Sequence, residues 1–188
     1  LAYHIVTNGL AAFSPMNYLL VFMFLAFIGI GSTIQPMVSY YYGAKKSYMI
    51  KKTVQIAEIT GFALGILFIG IGFFGADYLV SIFGISSNEI ATLASDGLKL
   101  FFLGYLFMGI NFIYMTYYQS IGQIKPSIGI TVFRGFILLA ITLLLLPFWL
   151  GINGIWLALP VAEAIMAIVL LTYARKGIMQ QNFAYRNF

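Results

Sequence analysis

Residues 128–174 read IGITVFRGFILLAITLLLLPFWLGINGIWLALPVAEAIMAIVLLTYA, and this stretch decides the fold. Its charged residues are Arg134 and Glu163. A helix needs about 20 apolar residues to cross the roughly 30 Å of hydrocarbon in a bilayer, so residues 128–150 and 155–174 each suffice for one span. The Gly-Ile-Asn-Gly turn at residues 151–154 between them predicts an antiparallel helical hairpin inside a membrane.

The composition of the whole chain agrees with a membrane protein. Of its 188 residues, 62% are hydrophobic and 8% are charged, whereas soluble domains average about 25% charged residues. So little polar surface excludes a soluble enzyme, and the net charge of +5 comes from short clusters that form no basic stripe for nucleic acid. Without cysteine and with a single histidine, the chain offers no ordinary zinc site, and we expect neither an enzyme nor a metal cofactor.

Three further apolar stretches precede the hairpin, at about residues 12–38, 56–83 and 98–121. Their continuous hydrophobicity and their length favour helices over the alternating strands of a β-barrel. The predicted fold is therefore an all-α polytopic membrane protein with five transmembrane helices. Because the chain starts within an apolar run, we expect residues 1–10 to be the stub of a sixth span, with upstream helices missing.

The basic residues predict the orientation of these spans, since short cytoplasmic loops carry an excess of lysine and arginine. The second loop, residues 84–96, contains Glu89 and Asp96 but no base, and the fourth loop is uncharged, so both are expected outside. The C-terminus is then cytoplasmic. The bases that define the inner side lie in the first loop, the third loop and the tail: Lys45, Lys46, Lys51, Lys52, Lys125, Arg175, Lys176 and Arg186.

Glu163 is the first candidate for a functional residue. It lies about 12 Å of helix inside the fifth span, where a charge costs on the order of 2.5 to 3.5 kcal/mol. Pro160 removes one backbone donor, so it can bend the helix and leave a carbonyl near the carboxylate. The carboxyl either carries a proton or holds a cation, or it is a structural group that is protonated or paired.

Arg134 has two interpretations. It lies about six residues inside the cytoplasmic end of the fourth span, where its side chain can extend to the interface, and this is the favoured reading. Alternatively it pairs with Glu163 across the hairpin, which would keep Glu163 ionised and argue against proton carriage. Glu58 and Asp77 lie near opposite ends of the second span, and we interpret both as solvated helix ends.

The third span contributes Asn111 near its middle, with Tyr114 and Tyr118 following toward the cytoplasm. Asn111, Met115 and Tyr118 share one helical face, which suits a loosely specific pocket for aromatic cations. The favoured alternative is structural, because amides bond between helices and tyrosines form interfacial belts.

Gly61 and Gly65 form a GxxxG pattern on the second span. Small residues at this spacing let two membrane helices approach closely. A phosphate-binding loop would need a water-facing helix N-terminus and a basic partner. We therefore predict a helix contact at this pattern.

Two groups of motifs carry a family resemblance. The sequence GSTIQP at residues 31–36, followed by SYYYGAK at residues 39–45, resembles the helix-end signature of the multidrug and toxic compound extrusion (MATE) family. There Gln35 and Pro36 permit a helix bend. Residues 109–111, 118–122 and 125–127 look like the family's tenth span and its cytoplasmic exit, and residues 151–156 and 160–163 look like its last hairpin.

The resemblance implies twelve spans in two six-helix lobes, of which this chain is the C-terminal lobe: spans eight to twelve, with the end of span seven at residues 1–10. It implies an inner-membrane antiporter that exports cationic or amphipathic drugs in exchange for Na⁺ or H⁺ by alternating access, with no other cofactor. The expected partners are the small-molecule substrate, membrane lipid and the missing N-terminal lobe. We take as candidate binding residues Glu163, Asn111, Tyr114, Tyr118, Gln35 and Arg134, with Pro36 and Pro160 as hinges.

Other functions remain open from the residues alone. A lipid-linked saccharide flippase of the same superfamily would need more basic residues to hold pyrophosphate, and Arg134 is the one buried candidate. A non-transporting membrane assembly subunit is a further alternative. An embedded enzyme would need clustered His, Asp or Glu, which the sequence does not display. We expect the fragment alone not to transport, because a pocket between lobes needs both of them.

Overall fold

A computed structural model describes residues 2–82 and 88–180, and every element in these two ranges is helical. Two of the spans contain a π-helical segment, Phe133–Leu138 and Leu170–Ala174. The α-helices are α1 (Ala2–Gly43), α2 (Ser47–Ile82), α3 (Asn88–Phe102), α4 (Tyr105–Ser120), α5 (Ile124–Val132), α6 (Leu139–Leu150), α7 (Ile152–Val169) and α8 (Arg175–Gln180).

Four single helical segments are long and apolar enough to cross a membrane: Val21–Gly43, Ser47–Ile82, Ile124–Leu150 and Ile152–Ile178. The pair Ile90–Phe102 and Tyr105–Ser120 makes a fifth span with a bend of 43°. Large apolar side chains cover the outside of the bundle, as on Phe74, which is 95% exposed, and Phe148, which is 84% exposed. The chain is an all-α multi-pass membrane protein, which confirms the predicted fold class.

The third span differs from its predicted bounds. It was expected over residues 98–121, but its helix begins at Asn88, so residues 88–96 of the expected second loop are helical. The reason is that Ala94, Leu98 and Phe102 bury one face of α3 while Asp96 lies on the exposed face. Such a segment is too polar on average for a hydropathy pattern to reveal it.

Helix α1 is longer than expected. Residues 2–10, predicted to be the stub of another span, continue into the first span without a break. The same helix passes through Pro36 and ends at Gly43. The part of α1 that meets the criteria for a membrane span is Val21–Gly43.

Helix α4 holds the bundle together, because it packs against α1, α2, α5 and α7. The GxxxG pattern of α2 lies on this contact: a Cβ on Gly65 would fall 2.8 Å from Leu106 Cα, and one on Gly61 would fall 3.6 Å from Gly109 Cα. At Gly65 the backbones are so close that only glycine fits. The predicted helix contact is therefore present between α2 and α4.

The predicted hairpin forms between α6 and α7. Gly151 turns the chain with a φ of 56°, a value that disfavours other residues. Deeper in the hairpin, the Thr142 hydroxyl donates a hydrogen bond of 2.9 Å to the Ala158 carbonyl. These contacts fix the register of α6 against α7, and with it the relative depth of Arg134 and Glu163.

The two ends of the bundle carry different charges. At one end, which we call the basic end, the Ser39 hydroxyl of α1 donates to the Ser120 carbonyl of α4 at 3.1 Å. The described bases of the first loop, the third loop and the tail lie in the chain segments at this end. At the opposite end the Ser95 hydroxyl donates a hydrogen bond to the Asp77 carboxylate. There Lys99, which lies outside the predicted second loop, pairs with Asp96 at 3.6 Å.

Candidate functional site

A buried ion pair joins the fourth and fifth spans. The Arg134 guanidinium lies 3.3 Å from each carboxylate oxygen of Glu163. The two side chains are 11% and 4% exposed, respectively. Glu163 lies near the middle of the span Ile152–Ile178, so this pair is enclosed within the hydrocarbon region.

Asn111 and Phe112 of α4 complete this site. The Asn111 amide nitrogen donates to the Glu163 carboxylate at 2.5 Å and to the Glu163 backbone carbonyl at 3.0 Å. The Arg134 guanidinium carbon lies 4.7 Å from the centre of the Phe112 ring, within the range of a cation–π contact. We call Asn111, Phe112, Arg134 and Glu163 the Glu163 cluster.

The Glu163 cluster decides between the two interpretations of Arg134. The guanidinium bonds to Glu163, whereas extension to the interface was the favoured reading, which is therefore wrong for this structure. The hairpin register and the reach of arginine were sufficient to foresee the pair. Because a partner with a full positive charge balances Glu163, its carboxylate is not an isolated acid in lipid.

Arg134 lies within the π-helical segment Phe133–Leu138. A π-helical turn widens the backbone ring and is found frequently at functional sites, where it changes the direction of one side chain. Here it interrupts the α-helix at the residue that carries the charge. No sequence pattern indicated this interruption.

Asn111 also has an unused polar atom. Its Oδ1 is buried and has no hydrogen-bond partner among the described residues. The amide nitrogen makes two hydrogen bonds to Glu163, whereas the amide oxygen next to the ion pair remains available as an acceptor. A buried acceptor of this kind usually takes a water molecule or a ligand donor.

A second ion pair, which sequence reasoning missed, lies one helical turn further along α4. The Tyr114 hydroxyl donates to Glu58 Oε1 at 2.7 Å, and Arg175 Nε lies 3.3 Å from Glu58 Oε2. The Glu58 residue is 8% exposed, so its interpretation as a solvated helix end is wrong. We call Glu58, Tyr114 and Arg175 the Glu58 cluster.

A sequence signal for Glu58 was available. Glu58, Gly61 and Gly65 recur at helical spacing, so they share one face, and the glycines had already marked that face as a helix contact. The partner Arg175 could not have been found in this way, because it lies at the far end of the last span. Asp77, in contrast, is exposed, in agreement with its interpretation as a solvated helix end.

The remaining candidates do not join either cluster. Gln35 and Pro36 are exposed on α1. Tyr118 is half-buried and contacts the Tyr117 ring, with ring centres 5.2 Å apart. Met115, which was expected to share a pocket face with Asn111 and Tyr118, accepts a hydrogen bond at sulfur from Thr131 at 3.3 Å. The predicted lining of one amide, one thioether and one phenol is therefore not assembled as a single pocket.

Pro160 lies beside the break in the third span. A Cβ on Gly104, between α3 and α4, would fall 3.3 Å from Pro160 Cα. The proline therefore packs against the break of the 43° bend, one turn away from Glu163. Its expected role as a hinge stays a prediction.

The described residues contain no group of three or more His, Cys, Asp or Glu positioned to hold a metal ion. Among their carboxylates, Glu58 and Glu163 are each paired with one arginine and each bound by one residue of α4. Another cation that replaces the arginine would keep the carboxylate balanced but would leave the guanidinium without its partner. This exchange is the chemistry that the arrangement offers.

Comparison with known proteins points to one family. The family model described as MatE matches residues 1–148. No curated protein matches the chain at a significant level.

Solved structures share the fold. An outward-facing multidrug resistance transporter of the MATE family, in the MOP superfamily, has a TM-score of 0.85 and 17% identity over 92% of this chain and 39% of its own. A MOP superfamily transporter from Pyrococcus furiosus, whose binding pocket is described as having reverse polarity that suggests a different function, has a TM-score of 0.84 and 16% identity over the same shares. The chain thus spans about two fifths of the length of these relatives.

Proposed function

Because this chain belongs to the MatE family of membrane transporters, whose model covers residues 1–148, we propose that it forms one lobe of a secondary active antiporter. In this proposal the complete protein exports cationic or amphipathic molecules in exchange for Na⁺ or H⁺. The lobe lies in the inner membrane with its basic end in the cytoplasm, in line with the excess of lysine and arginine there. A tag placed after Phe188 and labelled in intact cells would contradict this orientation.

The observation that carries the proposal is the enclosed Arg134–Glu163 pair in the middle of the bundle. Ionisable residues inside membranes are costly, and they usually mark the paths of ions or substrates. A purely structural contact at this depth would be as stable or more stable with apolar side chains of similar volume. The pair is therefore better explained by a role in coupling than by a role in packing.

The geometry supports coupling by competition. While Arg134 holds Glu163, the guanidinium and the Asn111 amide occupy the carboxylate oxygens, so a coupling ion must displace the guanidinium to bind there. When a sodium ion or a proton occupies Glu163, Arg134 loses its partner, and the contact between the fourth and fifth spans changes. The π-helical segment around Arg134 and the free acceptor on Asn111 give this exchange a place to occur.

The flippase alternative finds no support at this site. A pyrophosphate needs exposed, uncompensated cations, and Arg134, on which that alternative depended, is already neutralised by Glu163. A non-transporting assembly subunit would not need a charge pair enclosed at mid-membrane.

The test uses Glu163→Gln in the complete reading frame that contains this chain. Glutamine keeps the shape and the hydrogen bond from Asn111 but removes the charge for which the coupling ion competes. We expect ion-driven export of a cationic dye to be abolished while expression remains.

Asp77→Asn is the matched control, because it makes the same change at an exposed acid. It should export as the unchanged protein does. Unchanged export by Glu163→Gln would reduce Glu163 to a structural residue and remove the basis of the proposal.

A further inference from the structure

We propose that the groove beside Glu58 binds hydrophobic organic monocations, with Glu58 as the anionic group and Arg175 as a displaceable plug. This site is separate from the Glu163 cluster and rests on the proposed function only for the idea that such cations are the transported class. It would be a peripheral binding site on the outer face of the lobe.

The groove has the size and the lining for an amphipathic ligand. Its volume is about 400 Å³, and it lies between α2 and the end of the last span. Small-molecule sites are typically of this size and mostly apolar, with a few placed polar groups. Apart from Glu58 and Arg175, the lining is apolar: Ile59, Phe62, Ala63, Ile66, Ile110 and Leu171.

Glu58 is held in place as a fixed anion. The Tyr114 hydroxyl donates to its Oε1 at 2.7 Å, and Tyr114 itself is fully buried on α4. A hydrogen bond from a neutral hydroxyl orients the carboxylate without neutralising its charge. Its other oxygen, Oε2, faces Arg175, the residue at the edge of the groove.

Arg175 is loosely held compared with the other pair. Its side chain is 46% exposed, and its Nε makes one contact of 3.3 Å with Glu58. It directly follows the π-helical segment Leu170–Ala174, near the basic end, where water and lipid headgroups can solvate a guanidinium. The displaced guanidinium can therefore be solvated at this end, while the competing cation balances the buried Glu58 carboxylate.

The lining selects the chemistry of the competing cation. A small hydrated ion would lose its water without finding enough oxygen ligands, since the groove is otherwise apolar. A hydrophobic organic cation partitions into the bilayer, reaches the groove from lipid, and places its charge near Glu58 and the Phe62 ring. The larger cavity between α1 and α2, about 690 Å³, is lined by Lys52 and no acid, so it lacks the charge that such a ligand needs.

The experiment measures equilibrium binding of tetraphenylphosphonium to the purified complete protein in lipid nanodiscs. Glu58→Gln should weaken binding by at least about tenfold, because the buried countercharge is lost. Arg175→Gln should tighten binding by at least about threefold, because the arginine no longer competes with the ligand for Glu58. Asp77→Asn, on the same helix but outside the groove, should bind as the unchanged protein does.

A misfolded protein would not bind tetraphenylphosphonium more tightly, so the tighter binding expected of Arg175→Gln cannot result from misfolding. Ala63→Phe should weaken binding by filling the groove while leaving Glu58 and Arg175 in place. Tetraphenylborate, with the same shape and the opposite charge, should not bind more weakly in Glu58→Gln. Unchanged binding in Glu58→Gln, or weaker binding in Arg175→Gln, would overturn the proposal and leave lipid or another protein segment as the occupant of the groove.

The binding assay also separates this proposal from the proposed function. Glu163→Gln should leave tetraphenylphosphonium binding at the groove unchanged even where it abolishes export. If Glu163→Gln exports normally while Glu58→Gln loses binding, the coupling role of Glu163 fails and the groove stands. If Glu58→Gln binds normally while Glu163→Gln loses export, the groove fails and the coupling role stands.

Discussion

The Glu163 cluster and the Glu58 cluster are built from the same parts at positions one turn apart on α4. Each has one glutamate, one arginine beside a π-helical segment, and one polar residue of α4, and these α4 residues, Asn111 and Tyr114, are one turn apart. They differ in enclosure. The arginine of the first cluster is 11% exposed and that of the second is 46% exposed.

This difference in enclosure sets what each pair can do. In the enclosed pair, removing one partner strands a charge in a medium of low dielectric constant, so the pair can change only if another cation takes the vacant place. In the open pair, the departing arginine can be solvated by water or headgroups, so that only Glu58 needs a new countercharge. The same two side chains therefore suit obligatory exchange at one site and ligand-controlled opening at the other.

Removal of each arginine gives the largest expected contrast in stability. Arg134→Ala should destabilise the protein by about 3–5 kcal/mol, because Glu163 is left buried and unpaired. Arg175→Ala should cost less than Arg134→Ala, since Glu58 keeps the Tyr114 hydroxyl and borders an open groove. The measurement is the fraction of protein that remains monodisperse in detergent after heating. Equal losses in the two variants would remove the distinction between enclosed and open pairs.

A smaller effect sharpens the same comparison. Removing both charges of the enclosed pair, in Arg134→Gln with Glu163→Gln, should restore on the order of 2 kcal/mol relative to Arg134→Gln alone, because no uncompensated charge remains. The corresponding double change at Arg175 and Glu58 should restore much less. Heating curves of the two single and two double variants test this. A double variant of the enclosed pair that is no more stable than Arg134→Gln would indicate that the pair contributes packing and not charge compensation.

Much of the fold could be predicted from the sequence, because helices that cross a bilayer must consist of long apolar stretches. The hairpin at residues 128–174 and the GxxxG contact of α2 followed from local patterns. The start of α3 at Asn88 did not, since a short amphipathic helix with Asp96 on its surface has no apolar window of its own. Residues 2–10 are continuous with the rest of α1. The local sequence did not predict this continuity.

A contact between two site residues was predictable only where both residues lie in one hairpin, because the hairpin determines their relative depth. Glu163 and Arg134 lie in one hairpin, so their depths were comparable from the sequence, although the favoured reading chose the wrong partner for Arg134. Glu58 and Arg175 are separated by most of the chain, and their contact depends on how α2 crosses α4 and where the last span ends. Tyr114 was assigned to an interfacial belt because a buried tyrosine and an interfacial one look alike in sequence.

The central claim is that the enclosed glutamate couples transport to an ion, whereas the open glutamate binds the transported cation. The most direct test measures tetraphenylphosphonium export, driven by an imposed ion gradient, in complete proteins carrying Glu163→Gln or Glu58→Gln. We predict that Glu163→Gln removes export at every substrate concentration, whereas Glu58→Gln raises the concentration needed for half-maximal export and keeps the maximal rate. Loss of the maximal rate in Glu58→Gln together with normal coupling in Glu163→Gln would contradict this assignment.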